Sequence, residues 1–331
     1  MTFENPEFSN VRAFVGNIRL IRGMRGGCGM TAPVDRYLKA ARRESTQRRY
    51  KRALEHFEGT WEGLLPASSE SVARYLAEHA ERLSSSTLHT HLAALAQWHK
   101  RHGFVDPTKE PRVRDVLRGI RAEHPQPVKR AEALQLQALE ACITGLQGQA
   151  TSPVAAECLR ACRDQALILL GFWRAFRSDD LCQLRVEHIT VQPGASLEIF
   201  LASGKTDRDH QGRTVVVPAL KRLCPVTAYQ AWLAASGLKQ GPVFRAIDRW
   251  GHVSAEGLNA NSVSRLLRMA FARSGLDGEG YSGHSLRRGF ATWANRNEWG
   301  AKALMDYVGW QDVQSAMRYI DTTAPFGDWR R

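Results

Sequence analysis

The sequence predicts a mainly α fold, with an all-α N-terminal domain followed by an α-rich domain that contains a small antiparallel β-sheet. Three observations lead to this prediction. Helical hydrophobic periodicity recurs along most of the chain, whereas strand-like runs occur only between residues 187 and 218. A length of 331 residues is sufficient for two hydrophobic cores. A proline-containing segment near residue 125 separates the two patterns.

The N-terminal part is predicted to consist of an extension and a helical domain. Residues 1–34 carry no sustained periodicity and include the stretch RGMRGGCGM, which is typical of a flexible basic extension. The helical domain is assigned to residues 35–121. Ser84 begins a run of serine and threonine residues and Gly103 ends the pattern, so residues 84–103 have the start and stop signals of a helix. The other predicted helices are residues 45–61, 69–83 and 111–124.

A segment with two closely spaced prolines, RAEHPQPVKRAEAL, interrupts the helical pattern and predicts an interdomain linker at residues 122–131. The second domain is assigned to residues 132–322 and a tail to residues 323–331. Three short strands are predicted from EHITVQ, LEIFLAS and RTVVVP, joined by turns at residues 193–194 and 207–212. The predicted helices of this domain are residues 135–147, 155–173, 225–236, 261–274, 284–296, 300–308 and 312–320.

The charge balance indicates a polyanionic partner. The chain has 46 Lys and Arg against 33 Asp and Glu, which leaves a net charge of +13. Such an excess favours nucleic acid above all, because cationic side chains neutralise phosphates and release counterions. No apolar run approaches the roughly 18 residues that a membrane span needs, and the N-terminus lacks the apolar core of a signal peptide. We therefore expect a cytoplasmic, nucleoid-associated protein that binds double-stranded DNA and no membrane.

The cysteines do not indicate a metal site. The six cysteines contain no CxxC pair, and Cys158 and Cys162 lie one helical turn apart without a matching His/Cys pair. Buried small side chains are the better interpretation. We expect a reduced protein that needs no metal and no cofactor.

A break between two helices places Arg177 as a candidate phosphate-binding residue. The segment FWRAFRSDDLCQL ends a long apolar helix at Arg177 and is predicted to restart with Ser178 as the N-cap, followed by Asp179 and Asp180 in the first turn. An arginine at such a break can point into a cleft. A single arginine of this kind is more often a solvated surface residue, so the assignment depends on the other motifs.

Two further motifs supply cationic and imidazole side chains. SGKTDRDHQGR lies between two strand-like runs and puts Lys205 near a hairpin tip, where its flexible ammonium can reach a phosphate or a leaving group. GHSLRRGF places His284 and Arg287 at i and i+3 on one helix face. Each residue alone is typical of a solvated surface. Their order and spacing, taken together, indicate a site.

The last predicted helix contains a tyrosine beside its apolar face. Val313, Ala316, Met317 and Ile320 recur at the spacing of one buried helix face. At about 100° per residue, Tyr319 lies roughly 110° from the centre of that stripe and flanks it. A tyrosine at the edge of a core is commonplace, so this position alone does not assign chemistry to its hydroxyl.

In order and spacing, six residues resemble the catalytic set of the tyrosine recombinase (phage integrase) family: Arg177, Lys205, His284, Arg287, Trp310 and Tyr319. AFRSDDLCQL resembles the family's first arginine box, SGKTD its β-hairpin lysine and HSLRRGFAT its second arginine box. YVGW and MRYID resemble the end of its catalytic domain. Most members have a second histidine at the position of Trp310. The Cre branch has a tryptophan there, also nine residues before its nucleophile. The resemblance covers residues 35–322.

The resemblance implies a tyrosine recombinase catalytic fold for residues 132–322 and a SAM-like core-binding domain for residues 35–121. It implies that Tyr319 is the nucleophile of a site-specific DNA recombinase. Tyr307 is the nearest competitor, but it precedes the tryptophan and lies three residues after Leu304, a predicted packing position. The resemblance further implies a homotetramer on DNA with inverted-repeat half-sites, and an accessory directionality factor as a further partner.

The chemistry of these side chains suits phosphoryl transfer. Attack on a phosphodiester develops negative charge on the non-bridging oxygens, which two guanidiniums, Arg177 and Arg287, can bind bidentately. Trp310 offers one indole N–H donor and cannot transfer a proton. A phosphotyrosine intermediate conserves the energy of the phosphodiester bond, so the reaction requires neither ATP nor metal.

The same set contains groups that can move protons. His284 can accept the proton of the tyrosine or hold the hydrogen bonds of the site. Lys205 is suited to protonate the 5′-oxygen leaving group, and Lys221, after the following strand, is the alternative general acid.

Two features depart from the pattern of the family. Asp180 occupies a position usually held by glutamate, and we expect its shorter side chain to hold the arginine box in place. The tail after Tyr319 is short for a docking helix, and we expect Phe326 and Trp329 to anchor it to a neighbouring protomer. Helices near residues 45–58 and 84–102 are the candidates for DNA groove contacts. The predicted phosphate contacts are Arg48, Arg49, Lys51, Arg52, Lys100 and Arg101.

Two alternative functions fit part of these observations. A type IB topoisomerase would use the same chemistry to nick and reseal DNA as a monomer. A DNA-binding regulator with a decaying recombinase fold would keep the basic surface and lose the catalytic set. The complete series of six residues argues against the regulator, because a protein that had lost its catalytic function would lose these residues first. Integration, excision, resolution of transposon cointegrates and resolution of dimers all use the same residues and are not distinguished by them.

Overall fold

The computed structural model describes residues 36–37, 44–125, 131–202 and 212–317. The chain divides into two compact units, Met1–Val128 and Lys129–Arg331. In the described part of the first unit, four α-helices are joined by a π-helical turn at His56–Thr60 and a 3-10 turn at Pro107–Lys109. These helices are α1 Glu44–Glu55, α2 Ser69–Glu78, α3 Ser85–Arg101 and α4 Pro111–Glu123. Helix α4 therefore extends two residues into the predicted linker.

Capping residues set where the helices of the first unit begin, and one apolar cluster holds these helices together. The Ser84 hydroxyl accepts a hydrogen bond from the Thr87 backbone N–H at 3.1 Å, so α3 begins where the serine run predicts. The Ser68 hydroxyl caps α2 in the same way through Ser71. The helices bury a common core that includes Phe57, Tyr75, Leu76, Leu88 and Leu95.

In the second unit, the other elements pack around one helix that is almost fully buried, Ala155–Trp173. The helices and strands of this unit are α5 Leu136–Ala150, α6 Ala155–Trp173, α7 Ser178–Cys182, β1 Ile189–Gln192, β2 Ser196–Leu201, β3 Arg213–Pro218, α8 Pro225–Ser236, β4 Arg245–Ile247, β5 Val253–Gly257, α9 Ala260–Arg273, α10 Gly283–Arg296, α11 Ala301–Val308 and α12 Val313–Met317. Residues Ala166–Phe172 of α6 are buried on every side. This helix packs against α5, α8 and α10, which makes it the centre of the core.

Strands β1, β2 and β3 form an antiparallel sheet in that order, with Ile189 opposite Ile199 and Leu197 opposite Val217. The predicted strands therefore exist, and the mainly α fold with a small antiparallel sheet is confirmed. A second, two-stranded sheet of β4 and β5 was not predicted. Its strands are short and contain no fully buried residue, so they lack the apolar alternation from which a strand is recognised.

Two local predictions are wrong. Arg177, with extended backbone angles, is the N-cap of α7, and Ser178 is the first helical residue. Val313 and Met317 were expected on a buried face, but they are 56% and 59% exposed, and Ala316 alone of the described stripe is buried. Helix α12 packs on α11 with the small Ala316 side chain buried, and its longer apolar side chains stay exposed. In the described ranges, no helix is long and apolar enough to cross a membrane.

Candidate active site

Arg177 is positioned by a sharp turn after α6. Ala175 adopts a left-handed conformation with φ of 52°, which ends α6 and redirects the chain. The side chain of Phe176 then anchors the turn in the core at 2% exposure. Because the turn is fixed on both sides, the Arg177 side chain emerges at the start of α7 with 18% of its surface exposed.

Asp180 contacts Arg177 at both its backbone and its side chain. The carboxylate accepts a hydrogen bond from the Arg177 backbone N–H at 3.2 Å and lies 3.9 Å from the guanidinium Nη1. Asp180 itself is 5% exposed. A buried carboxylate in this position restrains the arginine and satisfies the first turn of α7. Sequence analysis expected this ordering role.

The N-termini of α7 and α10 meet at a glycine. A Cβ atom added to Gly283 would lie 2.1 Å from the Ser178 Oγ, which is closer than any real contact. Ser282 and Ser285 close the start of α10, since the Ser282 backbone N–H donates to the Ser285 hydroxyl at 2.9 Å. The close approach at Gly283 brings the two arginine-bearing segments together.

Arg287 is held by the turn that precedes Arg177. It is 5% exposed, and its Nη1 donates to the Ala175 carbonyl at 2.6 Å. Its guanidinium also lies over the Trp310 ring, 5.3 Å from the centroid. His284 lies one turn earlier on α10 and is exposed. The structure thus places Arg287 and Trp310 in contact and ties both to the segment of Arg177.

The C-terminus of α11 fixes the backbone position of Trp310. Gly309 has φ of 74° and terminates the helix, with its N–H donating to the Met305 carbonyl at 2.7 Å. The Trp310 N–H donates to the same carbonyl at 2.9 Å. This double hydrogen bond fixes the backbone of Trp310 and leaves its ring half-buried beside Arg287.

Arg174 is a buried cation that sequence analysis did not single out. Its guanidinium stacks on the Tyr307 ring, 4.3 Å from the centroid, and its Nη1 donates to the Tyr307 carbonyl. Burial lowers the pKa of Arg174 to about 10, and the charge of Arg213 acts in the same direction. Arg174 therefore remains charged and anchors the end of α11. No sequence signal separates it from a surface arginine.

Tyr307, the alternative nucleophile, is engaged in packing. Its hydroxyl donates to the Trp173 carbonyl at 2.8 Å, and its ring stacks on Phe290. Burial raises its pKa above the ordinary value for tyrosine. A hydroxyl with a high pKa that already donates to a backbone carbonyl is poorly suited to attack a phosphate.

Arg213 connects the β2–β3 hairpin to the turn at Gly309, which ends α11. It is the first residue of β3 and pairs with Leu201 across the hairpin. A Cβ atom on Gly309 would lie 2.3 Å from the Arg213 Nη1, so the guanidinium packs directly against that glycine. Residues 203–211, which connect β2 to β3 and include Lys205, lie outside the described residues. Arg213, at the start of β3, packs against Gly309, the residue before Trp310. Lys221 lies three residues beyond Pro218, the opposite end of β3, which is roughly 16 Å from Arg213 along the strand.

The predicted nucleophile Tyr319 also lies outside the described residues, which end at residue 317 in this part of the chain. The described part of the candidate site therefore includes two arginines, Arg177 and Arg287, and the indole of Trp310. Within residues 44–125, 131–202 and 212–317, no three His, Cys, Asp or Glu side chains are grouped as a metal site would require.

The first unit presents the predicted DNA contacts on its surface, and all six predicted cations are exposed. Several already have weak partners, since Arg48 lies 3.6 Å from Glu44 and Lys51 lies 3.6 Å from Glu55. Exposed ion pairs of this kind contribute little and exchange readily for phosphate. Arg49 donates to the Thr90 hydroxyl at 3.2 Å and so connects α1 with α3.

Comparisons with known proteins agree on one family. The model of the phage integrase family matches residues 149–324. An integrase/recombinase XerD homolog of Selenomonas ruminantium is 30% identical over 269 residues, which cover 80% of this chain and 76% of the relative. The recombinase Cre of Escherichia phage P1 is 26% identical over 270 residues, covering 77% of this chain and 76% of that protein.

Solved structures show the same fold. The integrase of transposon Tn1549, in complex with transposon right-end DNA, has a TM-score of 0.58 at 14% identity, covering 94% of each chain. The recombinase XerH, bound to a palindromic difH substrate, has a TM-score of 0.55 at 18% identity, covering 80% of this chain and 72% of that one. At these identities the similarity establishes the fold, and the family rests on the sequence matches.

Proposed function

Because the chain belongs to the phage integrase family, the tyrosine-type site-specific recombinases, we propose that it cuts and rejoins DNA through a covalent 3′-phosphotyrosyl intermediate on Tyr319. This proposal rests mainly on the contact between the segment that carries Arg287 and the turn that precedes Arg177. Arg287 is buried against Trp310 and bonded to the turn that presents Arg177. A pair of guanidiniums held in this way suits a phosphate whose negative charge grows during the reaction.

The phosphoryl transfer follows from these side chains. The Tyr319 hydroxyl attacks the phosphorus, the new P–O bond forms on the phenolic oxygen, and the bond from phosphorus to the 5′-oxygen breaks. Arg177, Arg287 and the indole N–H of Trp310 bind the non-bridging oxygens as their charge increases. The number of phosphodiester-type bonds is unchanged, so no ATP is consumed.

Two protons move during the step. His284, exposed at the start of α10, receives the phenolic proton or holds the hydrogen bonds of the attacking oxygen. Lys205 donates a proton to the 5′-oxygen as it leaves. The packing of Arg213 against Gly309 supports this role for Lys205, because it puts the base of the hairpin loop beside Trp310. Attack by a 5′-hydroxyl of another strand reverses the step and exchanges the strands.

The two units are proposed to have separate roles on DNA. Residues 35–121 form the core-binding domain, in which α1 and α3 present Arg48, Arg49, Lys51, Arg52, Lys100 and Arg101 to the phosphates. Residues 132–322 form the catalytic domain, residues 122–131 the linker and residues 323–331 the tail. The exposed cations of the first unit support phosphate contacts that are independent of base sequence.

The proposed assembly is a homotetramer on two paired sites, each with inverted-repeat half-sites. An accessory directionality factor is a further proposed partner, and the proposed location is the cytoplasm, on the nucleoid. The XerH structure contains a palindromic substrate, which supports half-site recognition by inverted arms. Integration, excision or resolution of a mobile element is the proposed role, since each of these uses the same exchange reaction.

The test uses a nicked suicide duplex whose half-site sequence is recovered by binding selection from a random DNA pool. Wild-type protein should form a denaturation-resistant adduct, and Tyr319→Phe should bind equally well and form none. Tyr307→Phe is the matched control and should keep adduct formation. An adduct in Tyr319→Phe would contradict the assignment of the nucleophile.

A second assay separates recombination from the alternatives. Wild-type protein should exchange strands between two duplexes that carry the selected site. A type IB topoisomerase would instead relax plasmids that lack the site and yield no exchanged product. A DNA-binding regulator would bind the duplex and form no adduct.

A further inference from the structure

Arg213 has an unusual environment for an arginine beside a candidate active site. Its side chain is partly buried, and its guanidinium lies flat against Gly309, with Nη1, Cζ and Nη2 all within 3.0 Å of the position of an added Cβ. Within the part of the chain that the structure describes, Arg213 pairs with Leu201 through its backbone, and its guanidinium makes no hydrogen bond or ion pair. Its donors are therefore held in place by packing and remain available to a ligand.

The nearby carboxylate does not neutralise Arg213. Asp180 accepts from Arg177, and its charge also acts on Arg174. The charges of Arg213 and Arg174 act on each other unfavourably, because both are cations near the same turn. Two cations that repel each other in this way are stabilised when an anion is bound between or beside them.

A single phosphodiester cannot accept hydrogen bonds from all of these guanidiniums. It has two non-bridging oxygens and a single negative charge, and the proposed reaction already assigns those oxygens to Arg177, Arg287 and the Trp310 indole. Arg287 packs on the Trp310 ring and Arg213 packs on Gly309, the preceding residue. The two guanidiniums therefore contact different residues of the turn and are offset along it.

We propose that Arg213 is a further DNA-binding residue of this site, whose guanidinium donates to a backbone phosphate next to the one that is cleaved. The inference rests on the proposed function and adds a residue to it. A planar guanidinium packed on Gly309 suits bidentate binding of a phosphate, which a flexible lysine would not reproduce. Because Arg213 begins β3, the same contact would fix the base of the hairpin that carries Lys205.

The test combines a protein change with a DNA change. Suicide duplexes of the selected half-site are made with a neutral methylphosphonate at each phosphate that flanks the cleaved one. Single-turnover adduct formation is then measured for full-length wild type, Arg213→Gln and Arg268→Gln. Arg268 is the control because it is an exposed arginine of α9 whose Nε donates to the Ser264 carbonyl of its own helix at 3.3 Å.

A contact between Arg213 and one flanking phosphate predicts coupled effects. The neutral linkage at that phosphate should slow wild-type adduct formation about tenfold or more, as expected for loss of a charge-assisted hydrogen bond. Arg213→Gln should be slowed to a similar extent on ordinary DNA and should show no additional loss on the neutral linkage. The slope of log affinity against log salt should become shallower by about 1 in Arg213→Gln. Arg268→Gln should respond to the neutral linkages as wild type does.

Independent losses at every flanking phosphate would overturn the inference and leave Arg213 as packing for Gly309. Arg213→Lys distinguishes the two roles, because it retains the charge and should keep the response to the neutral linkage at a reduced rate. If the glutamine variant does not fold, Arg213→Met takes its place, because it keeps an unbranched side chain to pack on Gly309 and removes the charge. If wild-type protein forms no adduct on any duplex, it is the proposed function that fails.

Discussion

The Nη1 atom of Arg287 donates to the backbone carbonyl of Ala175 at 2.6 Å. Ala175 is one of the few non-glycine residues with a left-handed backbone, and this conformation turns its carbonyl towards α10. Arg177 follows two residues later and caps α7. A single hydrogen bond therefore sets the position of the second arginine relative to the turn that presents the first.

Arg287→Lys should lower single-turnover cleavage by roughly 10²–10³-fold, the loss expected for one transition-state donor. Lysine carries one compact charge and cannot bond to the Ala175 carbonyl and bind two phosphate oxygens at once. Binding of the duplex should change far less, because the exposed cations of the first unit remain. Arg296→Lys on the same helix is the control and should cleave normally. Full activity of Arg287→Lys would remove Arg287 from the proposed site.

Gly283→Ala should reduce both thermal stability and cleavage, since its Cβ would lie 2.1 Å from the Ser178 Oγ. Overpacking of this kind costs about 1–3 kcal/mol. The next contact is the Ser178 Cβ at 3.4 Å, an ordinary distance. Adding Ser178→Ala should therefore restore most of both properties, as measured by melting temperature and by adduct formation.

The matched comparison for that pair is Gly289→Ala. An added Cβ there would lie 2.2 Å from the backbone carbonyl of Leu134, which no side-chain change can remove. Ser178→Ala should give no rescue of Gly289→Ala. Equal rescue of both glycine variants would show that Ser178→Ala stabilises the fold in general and does not act through the junction of α7 and α10.

Lys205→Ala should be slow on an ordinary duplex and largely rescued on a duplex with a bridging 5′-phosphorothiolate. A 5′-thiolate leaves without a proton, so the general acid is no longer needed. Lys221→Ala is the control and should cleave both substrates normally, because Lys221 lies beyond the far end of β3. If both substrates are slowed equally in Lys205→Ala, the lysine contacts a phosphate and another group supplies the proton.

The stability of the first unit should decrease as the pH falls from about 6.5 towards 4. His91 lies against the Tyr75 hydroxyl at 2.5 Å, and the same hydroxyl contacts His56 at 2.8 Å. Burial lowers the pKa of His91 to about 4, and the neighbouring charges of His56 and His79 add to this effect. Between the folded and unfolded pKa values, the unfolded chain binds a proton that the folded chain does not, so acid favours unfolding.

The measurement is the melting temperature of the full chain between pH 4.5 and 7. His91→Asn can keep a polar partner for Tyr75 and does not titrate, so its melting temperature should fall less steeply with acid. His89→Asn changes an exposed histidine on the same helix and should follow the wild-type curve. A His91→Asn curve parallel to wild type would show that His91 is not responsible for the acid sensitivity.

Local patterns in the sequence were sufficient for most of the architecture. The serine run before α3 and the apolar period of α6 each encode an element through contacts between residues close in the chain. The order of the six motif residues likewise identified the family without any structure. Neither property depends on how distant segments pack.

The tertiary structure decided which side chains meet. The bond from Arg287 to Ala175 joins residues 112 positions apart, and the contact of Arg174 with Tyr307 spans 133 positions. No local period encodes such pairs, because they result from packing α6, α10 and α11 around one core. The same reason explains why Val313 and Met317 are exposed in spite of their helical spacing. Periodicity fixes which residues share a helix face, whereas burial of that face depends on a partner that only the folded chain supplies.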